Sequence, residues 1–127
     1  MNDLEQSIAF TFVEDAAGMA EYTESRVKPV SVLKATGANV VVFAFAAGSE
    51  LREHTALQPV LLQSLSGTLK VQIEGETFPL NPGDILHIEP HVAHSVSAVE
   101  EARLQLVVLM IDSPGPSKVP LVDFTEE

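Results

Sequence analysis

The feature that most constrains the fold of this chain is a series of short apolar segments between residues 48 and 94, separated by glycine and proline turns. The turns fall at Gly67, at Gly75 and at the Pro82-Gly83 pair. Short strands with turn signals at regular spacing are typical of an all-β sandwich or barrel. The sequence therefore predicts an antiparallel all-β fold.

The alternation inside these segments predicts which side chains face the core. In residues 68–73, Leu69, Val71 and Ile73 alternate with polar neighbours, so we expect these three to point inward. The strand over 85–88 is expected to be buried, and the long apolar strand over 104–111 is expected to be central. Further strands are predicted over residues 7–13, 30–35, 40–46, 59–65, 77–80 and 95–99.

Composition narrows the class of protein. The chain has 127 residues, of which 46% are hydrophobic, enough for one domain with an ordinary core. It has no cysteine, which excludes disulfides and thiolate metal sites. Its formal charge of -11, from 18 acidic and 7 basic residues, disfavours nucleic acid and anionic membranes as partners. With no targeting pattern and no apolar run near the length of a membrane span, we expect a cytoplasmic protein.

Two histidines, His54 and His94, each stand just outside a turn signal. One interpretation is that they converge inside the barrel as ligands for a metal or a substrate. The other is that they form a pair without a ligand, hydrogen-bonded to water or to the backbone. If both lie in an apolar barrel mouth, burial should lower the pKa of each imidazole, and the pair should titrate as a unit.

The stretch from 48 to 94 resembles the cupin superfamily, in particular the small single-domain cupins. The first motif of that family contains a glycine, two histidines, a glutamate and a closing glycine, of which Gly48, His54 and Gly67 are present. The second motif contains a glycine, a proline, a second glycine and a histidine, and Gly83 and His94 match its two ends.

The chain departs from the family pattern at both motifs. Ala56 and Val60 stand where the first motif has its second histidine and its glutamate. In the second motif, Glu89 and His91 replace the proline and the glycine, and Ala98 stands where an asparagine is expected. Typical cupins hold one divalent metal with three histidines and one glutamate, so two of these four ligands are missing here.

The resemblance consequently implies a divalent metal (Zn, Fe, Ni or Mn) held only weakly, by His54 and His94, because a catalytic metal usually needs about three protein ligands. Two residues are candidates for a substitute ligand, Gln58 and His87. The alternation of residues 86–88 points His87 away from the core.

The resemblance also implies a jelly-roll β-barrel, and a homodimer, since strand-exchanging homodimers are common in the family. We expect a single cupin domain over residues 1–127, with an N-terminal arm over about 1–36, a barrel core over about 37–112 and a tail over about 113–127. The homodimer is also favoured by the strand over 40–46, which is apolar on both faces. The tail adds further apolar residues: Val119, Leu121, Val122 and Phe124.

Three functions agree with these observations. The first is a small-molecule-binding protein whose barrel pocket holds an apolar or aromatic ligand. The second is a metal-dependent enzyme, a dioxygenase or isomerase, working with a reduced ligand set. The third is a non-catalytic structural homodimer. In the first case His54 and His94 anchor the ligand, and the remaining pocket residues are Gln58, Val60, Leu62, Leu106, Val108 and Met110.

Overall fold

The computed structural model describes residues 9–111, and the structural statements below refer to that part of the chain. There, a 3₁₀ turn over Ala17–Met19 precedes nine strands. The strands are β1 (Val27–Ala35), β2 (Ala38–Phe45), β3 (Glu50–His54), β4 (Val60–Ser66), β5 (Leu69–Ile73), β6 (Glu76–Leu80), β7 (Ile85–Ile88), β8 (His94–Ala98) and β9 (Ala102–Leu109).

The strands form two antiparallel sheets around a shared core. One sheet has the order β1-β2-β9-β4-β7 and the other has the order β3-β8-β5-β6. Consecutive strands such as β3 and β4 lie in different sheets, so the chain crosses repeatedly between the two layers, as in a jelly roll. The predicted antiparallel jelly-roll fold is confirmed.

The core consists of aliphatic and aromatic side chains contributed by both sheets. Leu69 and Val71 of β5 are fully buried and Ile73 packs against them, as the alternation predicts. Opposite them lie buried residues of the five-stranded sheet: Phe45, Val60, Leu62, Ile88, Ala102 and Leu104. The two layers are therefore joined by apolar packing, the main favourable term in folding.

Three sequence predictions about single strands have different outcomes. Strand β9 is central, between β2 and β4, as expected. The prediction of a buried strand over residues 85–88 is wrong: β7 lies at an edge of its sheet, and the Ile85 side chain is 63% exposed. Residues 9–13 contain no strand, so the part of the 7–13 prediction that the structure describes is also wrong. The apolar tail lies outside the described residues.

Strand β2 is apolar on both faces because both faces are covered. Phe43 and Phe45 point into the barrel core. On the opposite face, Val42 and Ala44 pack against the chain's own N-terminal segment through Ala20, which is itself fully buried. Part of the apolar surface of β2, which favoured a homodimer in the sequence, is thus buried by another segment of the same chain.

Arg103 of β9 holds this N-terminal segment on the sheet. Its Nε donates a hydrogen bond to the carbonyl oxygen of Ala20 at 3.0 Å. Its guanidinium carbon lies 4.4 Å from the centroid of the Tyr22 ring, in cation–π geometry. One side chain therefore makes both the polar and the aromatic contact that fix the segment in place.

Candidate functional site

The two candidate histidines lie side by side on neighbouring strands of the four-stranded sheet. His54 ends β3, His94 begins β8, and the two residues are direct partners in the antiparallel register. Their ring centroids are 4.4 Å apart, with the ring planes inclined at 61°. The structure therefore brings together two imidazoles that are far apart in sequence.

A β-bulge determines that His54 faces the same way as His94. Leu51 pairs with Val96 and packs on the core, and simple alternation would turn residue 53 inward after it. The register shifts between Leu51 and His54, so Glu53 stays exposed and His54 takes the inward position beside His94. A bulge of this kind redirects a side chain and disrupts the regular hydrogen bonding between the two strands at one position.

Backbone carbonyl groups orient both imidazole rings. The Nδ1 atom of His54 lies 2.7 Å from the carbonyl oxygen of Arg52, and Nδ1 of His94 lies 3.0 Å from that of Val92. Because a carbonyl oxygen only accepts, each Nδ1 must carry the proton and donate it. In the neutral rings both Nε2 atoms are then hydrogen-bond acceptors or metal ligands. The sequence carries no signal for this arrangement, because every residue has a carbonyl group.

Burial distinguishes the two histidines. The His94 residue is only 2% exposed, whereas His54 is half-buried at the outer side of the pair. The pKa of His94 is lowered mainly by desolvation, and the neighbouring His54 lowers it further, against an opposing effect of the Val92 carbonyl. His94 is therefore a neutral ring near pH 7.

The residues present do not fit a tightly held catalytic metal. Two Nε2 atoms supply two nitrogen ligands, and the family positions at Ala56 and Val60 are aliphatic. In the part of the chain that the structure describes, no group of three histidine, aspartate or glutamate side chains is placed to hold a metal ion. Two histidine ligands fall short of the usual three protein ligands of a catalytic metal.

The two candidate substitute ligands lie in different surroundings. Gln58 is half-buried in the loop between β3 and β4. His87 pairs in register with Leu61 on the outer face of the five-stranded sheet, and its Nδ1 lies 3.8 Å from Oε2 of Glu89. His87 therefore points away from the barrel interior, as the alternation of residues 86–88 predicts.

The aliphatic pocket residues belong largely to the packed core. Val60 and Leu62 are 2% and 1% exposed, and Leu106 and Val108 pack against them from β9. Met110 follows the end of β9 at Leu109, and its side chain is 45% exposed, so it lies outside this packed core. Side chains thus fill the barrel next to these residues.

A separate cleft of about 560 Å³ lies beside the turn between β8 and β9. Neither histidine lines it. The side chains and backbone that line it are those of residues 67–70, 77–79 and 99–101. The predicted pocket residues therefore do not correspond to this cleft.

The loops around the histidine pair are tied to each other. The backbone N–H of His91 donates to the carbonyl oxygen of Ala56 at 2.8 Å, joining the loop after β3 to the loop before β8. His91 has a φ of 68°, in the left-handed region that favours glycine. This explains physically why a glycine is suited to this position of the second motif.

No helix within residues 9–111 combines the length and apolar character needed to cross a bilayer.

No curated protein matches the chain significantly. Among solved structures, the chain is similar to a conserved protein of unknown function from Streptococcus pyogenes, with a TM-score of 0.70 and 20% identity. That match covers 82% of this chain and 91% of the other.

Two further structures carry family names. A cupin superfamily protein from Desulfitobacterium hafniense has a TM-score of 0.70 at 20% identity, covering 76% of this chain and 88% of its own. An RmlC-like cupin from Desulfovibrio desulfuricans has a TM-score of 0.65 at 22% identity, covering 70% and 87%. At such identities these likenesses show the fold alone. The family model described as "Cupin domain" matches residues 42–111, more than half of the sequence, and the chain therefore belongs to the cupin domain family.

Proposed function

We propose that this protein is a small-molecule-binding cupin whose ligand is held by Nε2 of His54 and Nε2 of His94. The observation that carries this proposal is the orientation of both rings by backbone carbonyl oxygens, at 2.7 Å and 3.0 Å. Each ring thereby directs a lone pair, rather than an N–H, toward a ligand. A few placed polar groups in apolar surroundings are the usual composition of a small-molecule site.

The chemistry of the pair limits the class of ligand. Because both Nε2 atoms are hydrogen-bond acceptors, they favour a ligand that has hydroxyl or N–H donors. A carboxylate or phosphate is disfavoured by the lone pairs and by the formal charge of -11. Since the adjacent aliphatic core is filled, the ligand is expected at the half-buried His54 side of the pair. A neutral phenol or aromatic alcohol meets both conditions.

A ligand-observed NMR screen with a set of neutral phenols and aromatic alcohols tests the proposal. We expect hits with the wild-type protein that lose binding in His54→Ala and in the double variant with His94→Ala. His87→Ala and His91→Ala are matched controls, because those two rings are exposed outside the pair. Hits that bind the double variant as well as the wild type would contradict the proposal, provided that circular dichroism shows the variant to be folded.

Metal binding is the second candidate, and the same hydrogen bonds favour it. Histidines that coordinate metals usually donate their other ring N–H to a carbonyl or carboxylate, which orients the ring. With two nitrogen ligands we expect substoichiometric zinc, iron, nickel or manganese after dialysis against a chelator. Calorimetric titration with zinc chloride should then show weak binding that is absent in His54→Ala. A full equivalent of metal surviving the chelator would instead support the enzyme alternative.

A further inference from the structure

The cleft beside the turn between β8 and β9 lies on the outer face of the four-stranded sheet. Lys70 of β5 and Pro79 of β6 both line it and are direct partners in the antiparallel register. In β5, Leu69 and Val71 are buried in the core, so Lys70 between them faces outward together with its partner Pro79. The cleft therefore lies on the opposite side of this sheet from the inward-facing histidine pair.

Two close contacts fix the walls of the cleft. On one side, Gly67 lets the turn that contains Glu101 approach closely, because a Cβ at residue 67 would lie 2.6 Å from the Glu101 carbonyl oxygen. On the other side, the Thr68 hydroxyl donates a hydrogen bond to Oδ1 of Asn81 at 2.9 Å, which joins the start of β5 to the residue after β6. Walls that are formed before a ligand arrives lower the entropic cost of binding.

The size and the apolar part of the cleft suit a small molecule. Its volume of about 560 Å³ lies within the range of about 300–1,000 Å³ that is usual for small-molecule sites. The Val99 side chain in its lining is 80% exposed, and Pro79 adds a second apolar surface. Exposed apolar side chains in a cleft favour a ligand that carries an apolar group.

The charged side chains that line the cleft are those of Lys70, Glu100 and Glu101. Within residues 9–111, none of these three side chains makes an ion pair or a hydrogen bond with another described group. A ligand in the cleft therefore meets an unpaired ammonium group and two unpaired carboxylates. Since charge-assisted hydrogen bonds are the stronger ones, a ligand that carries both signs of charge gains more than a ligand with a single charge.

We propose that this cleft binds a free α-amino acid with an apolar side chain, for which phenylalanine serves as the test compound. The carboxylate of the ligand accepts hydrogen bonds from the Lys70 ammonium, and its own ammonium donates to the carboxylates of Glu100 and Glu101. Its side chain packs on Val99 and Pro79. A simple anion is disfavoured by the two glutamates and by the formal charge of -11, and a simple amine leaves Lys70 unpaired.

Titration of the isotope-labelled full chain with L-phenylalanine, followed by the NMR shifts of its backbone amides, tests the site. We expect shifts at residues 67–70, 77–79 and 99–101. The Kd should be on the order of 1 mM, as for a ligand of this size in an open cleft. Phenethylamine lacks the carboxylate and hydrocinnamate lacks the ammonium, so each should bind at least about 5-fold more weakly. Phenethylamine binding as tightly as phenylalanine would overturn the proposal.

Substitutions of the charged groups test the assigned contacts. Lys70→Met keeps the aliphatic stem, removes the charge and should weaken phenylalanine binding roughly 10-fold. The double variant Glu100→Gln with Glu101→Gln should weaken it by a similar factor. Lys28→Met is the matched control, because Lys28 is an exposed lysine of β1 in the other sheet. Its affinity for phenylalanine should equal that of the wild type.

The cleft is independent of the histidine pair, so His54→Ala should bind phenylalanine as the wild type does. Shifts confined to the surroundings of His54 and His94 would overturn the proposal. The absence of shifts at about 20 mM phenylalanine, well above the expected Kd, would also overturn it. So would wild-type affinity in Lys70→Met, with folding verified by circular dichroism.

Discussion

His54 and His94 are chemically alike but lie in different environments, and the difference determines how the pair responds to pH. The inner ring, His94, is 2% exposed and loses most of its hydration on folding, which lowers its pKa. The outer ring, His54, is half-buried and meets the solvent. A proton taken up by His94 would lie in apolar surroundings, beside a second imidazole whose ring centroid is 4.4 Å from that of His94.

We expect the stability of the protein to decrease as the pH falls below about 6.5, the pKa of histidine in the unfolded chain. Between that value and the lowered pKa of folded His94, the unfolded chain binds more protons, so the free energy of unfolding falls with falling pH. Above pH 6.5 the contribution is constant. Urea unfolding of the wild type and of His94→Gln from pH 5 to 8 measures this effect.

The glutamine variant should reduce the dependence on pH, and His87→Gln, at an exposed position in the other sheet, is the matched control. An identical pH profile for wild type and His94→Gln would contradict the assignment. NMR titration of the imidazole resonances is an independent check, with the His94 midpoint expected below 6.5.

His91 is a second residue whose local conformation leads to a prediction. A φ of 68° costs a residue other than glycine about 1–2 kcal/mol, although histidine tolerates it better than most. Glycine removes this strain but gives the unfolded chain about 0.4–1 kcal/mol of additional entropy. We therefore expect His91→Gly to stabilise the protein by about 0.5 kcal/mol in urea unfolding. His87→Gly, in a strand, should destabilise it by a similar amount.

At the scale of elements, the turn between β4 and β5 is tightly constrained. Gly67 has a φ of 73°, and a Cβ there would lie 2.6 Å from the carbonyl oxygen of Glu101 and 2.8 Å from Cβ of Ala102. Since the obstructing atoms belong to the backbone and its first side-chain carbon, they cannot move aside easily. Glycine at this position therefore allows the start of β9 to approach the turn closely.

We expect Gly67→Ala to destabilise the protein by about 2–4 kcal/mol, from left-handed strain together with overpacking. Gly75→Ala is the matched control. Gly75 has a similar φ of 76° but open space where its Cβ would lie, so only the strain of about 1–2 kcal/mol applies. Thermal and urea unfolding of both variants measure the difference. Equal losses would show that the contact with residues 101–102 is unimportant.

The contact between β9 and the N-terminal segment also leads to a prediction. Arg103→Met keeps the aliphatic stem but removes the hydrogen bond to Ala20 and the stacking on Tyr22. We expect a loss of about 1–2 kcal/mol and faster tryptic cleavage after Arg26. Arg52→Met, at an exposed side chain, is the control and should change neither. Unchanged proteolysis in Arg103→Met would indicate that apolar packing alone holds the segment.

For the whole molecule, the dominant property is its negative charge. A formal charge of -11 makes self-association sensitive to ionic strength, because salt screens the repulsion between copies. If the homodimer expected from the sequence forms through an apolar surface, raising sodium chloride from about 20 mM to about 500 mM should strengthen the dimer. Sedimentation at both concentrations measures this. Weakening of the dimer by salt would point instead to an interface held by ion pairs.

Much of the fold could be predicted from local sequence patterns. Alternation in β5 correctly assigned Leu69 and Val71 to the core, because a strand's side-chain period of two depends only on the backbone. The Glu74-Gly75 turn and the edge position of Pro79 in β6 likewise follow from local chemistry. These features depend on residues that are close in sequence.

The tertiary structure alone decided the site and its surroundings. The bulge before His54 and the 4.4 Å separation of its ring centroid from that of His94 depend on how β3 pairs with β8. The exposure of Met110 depends on where β9 ends. The outer face of β2 is covered by the N-terminal segment around Ala20. This segment is bound by Arg103, which lies far from it in sequence. Such long-range contacts leave no local pattern, because their free energy arises only when distant segments meet in the folded chain.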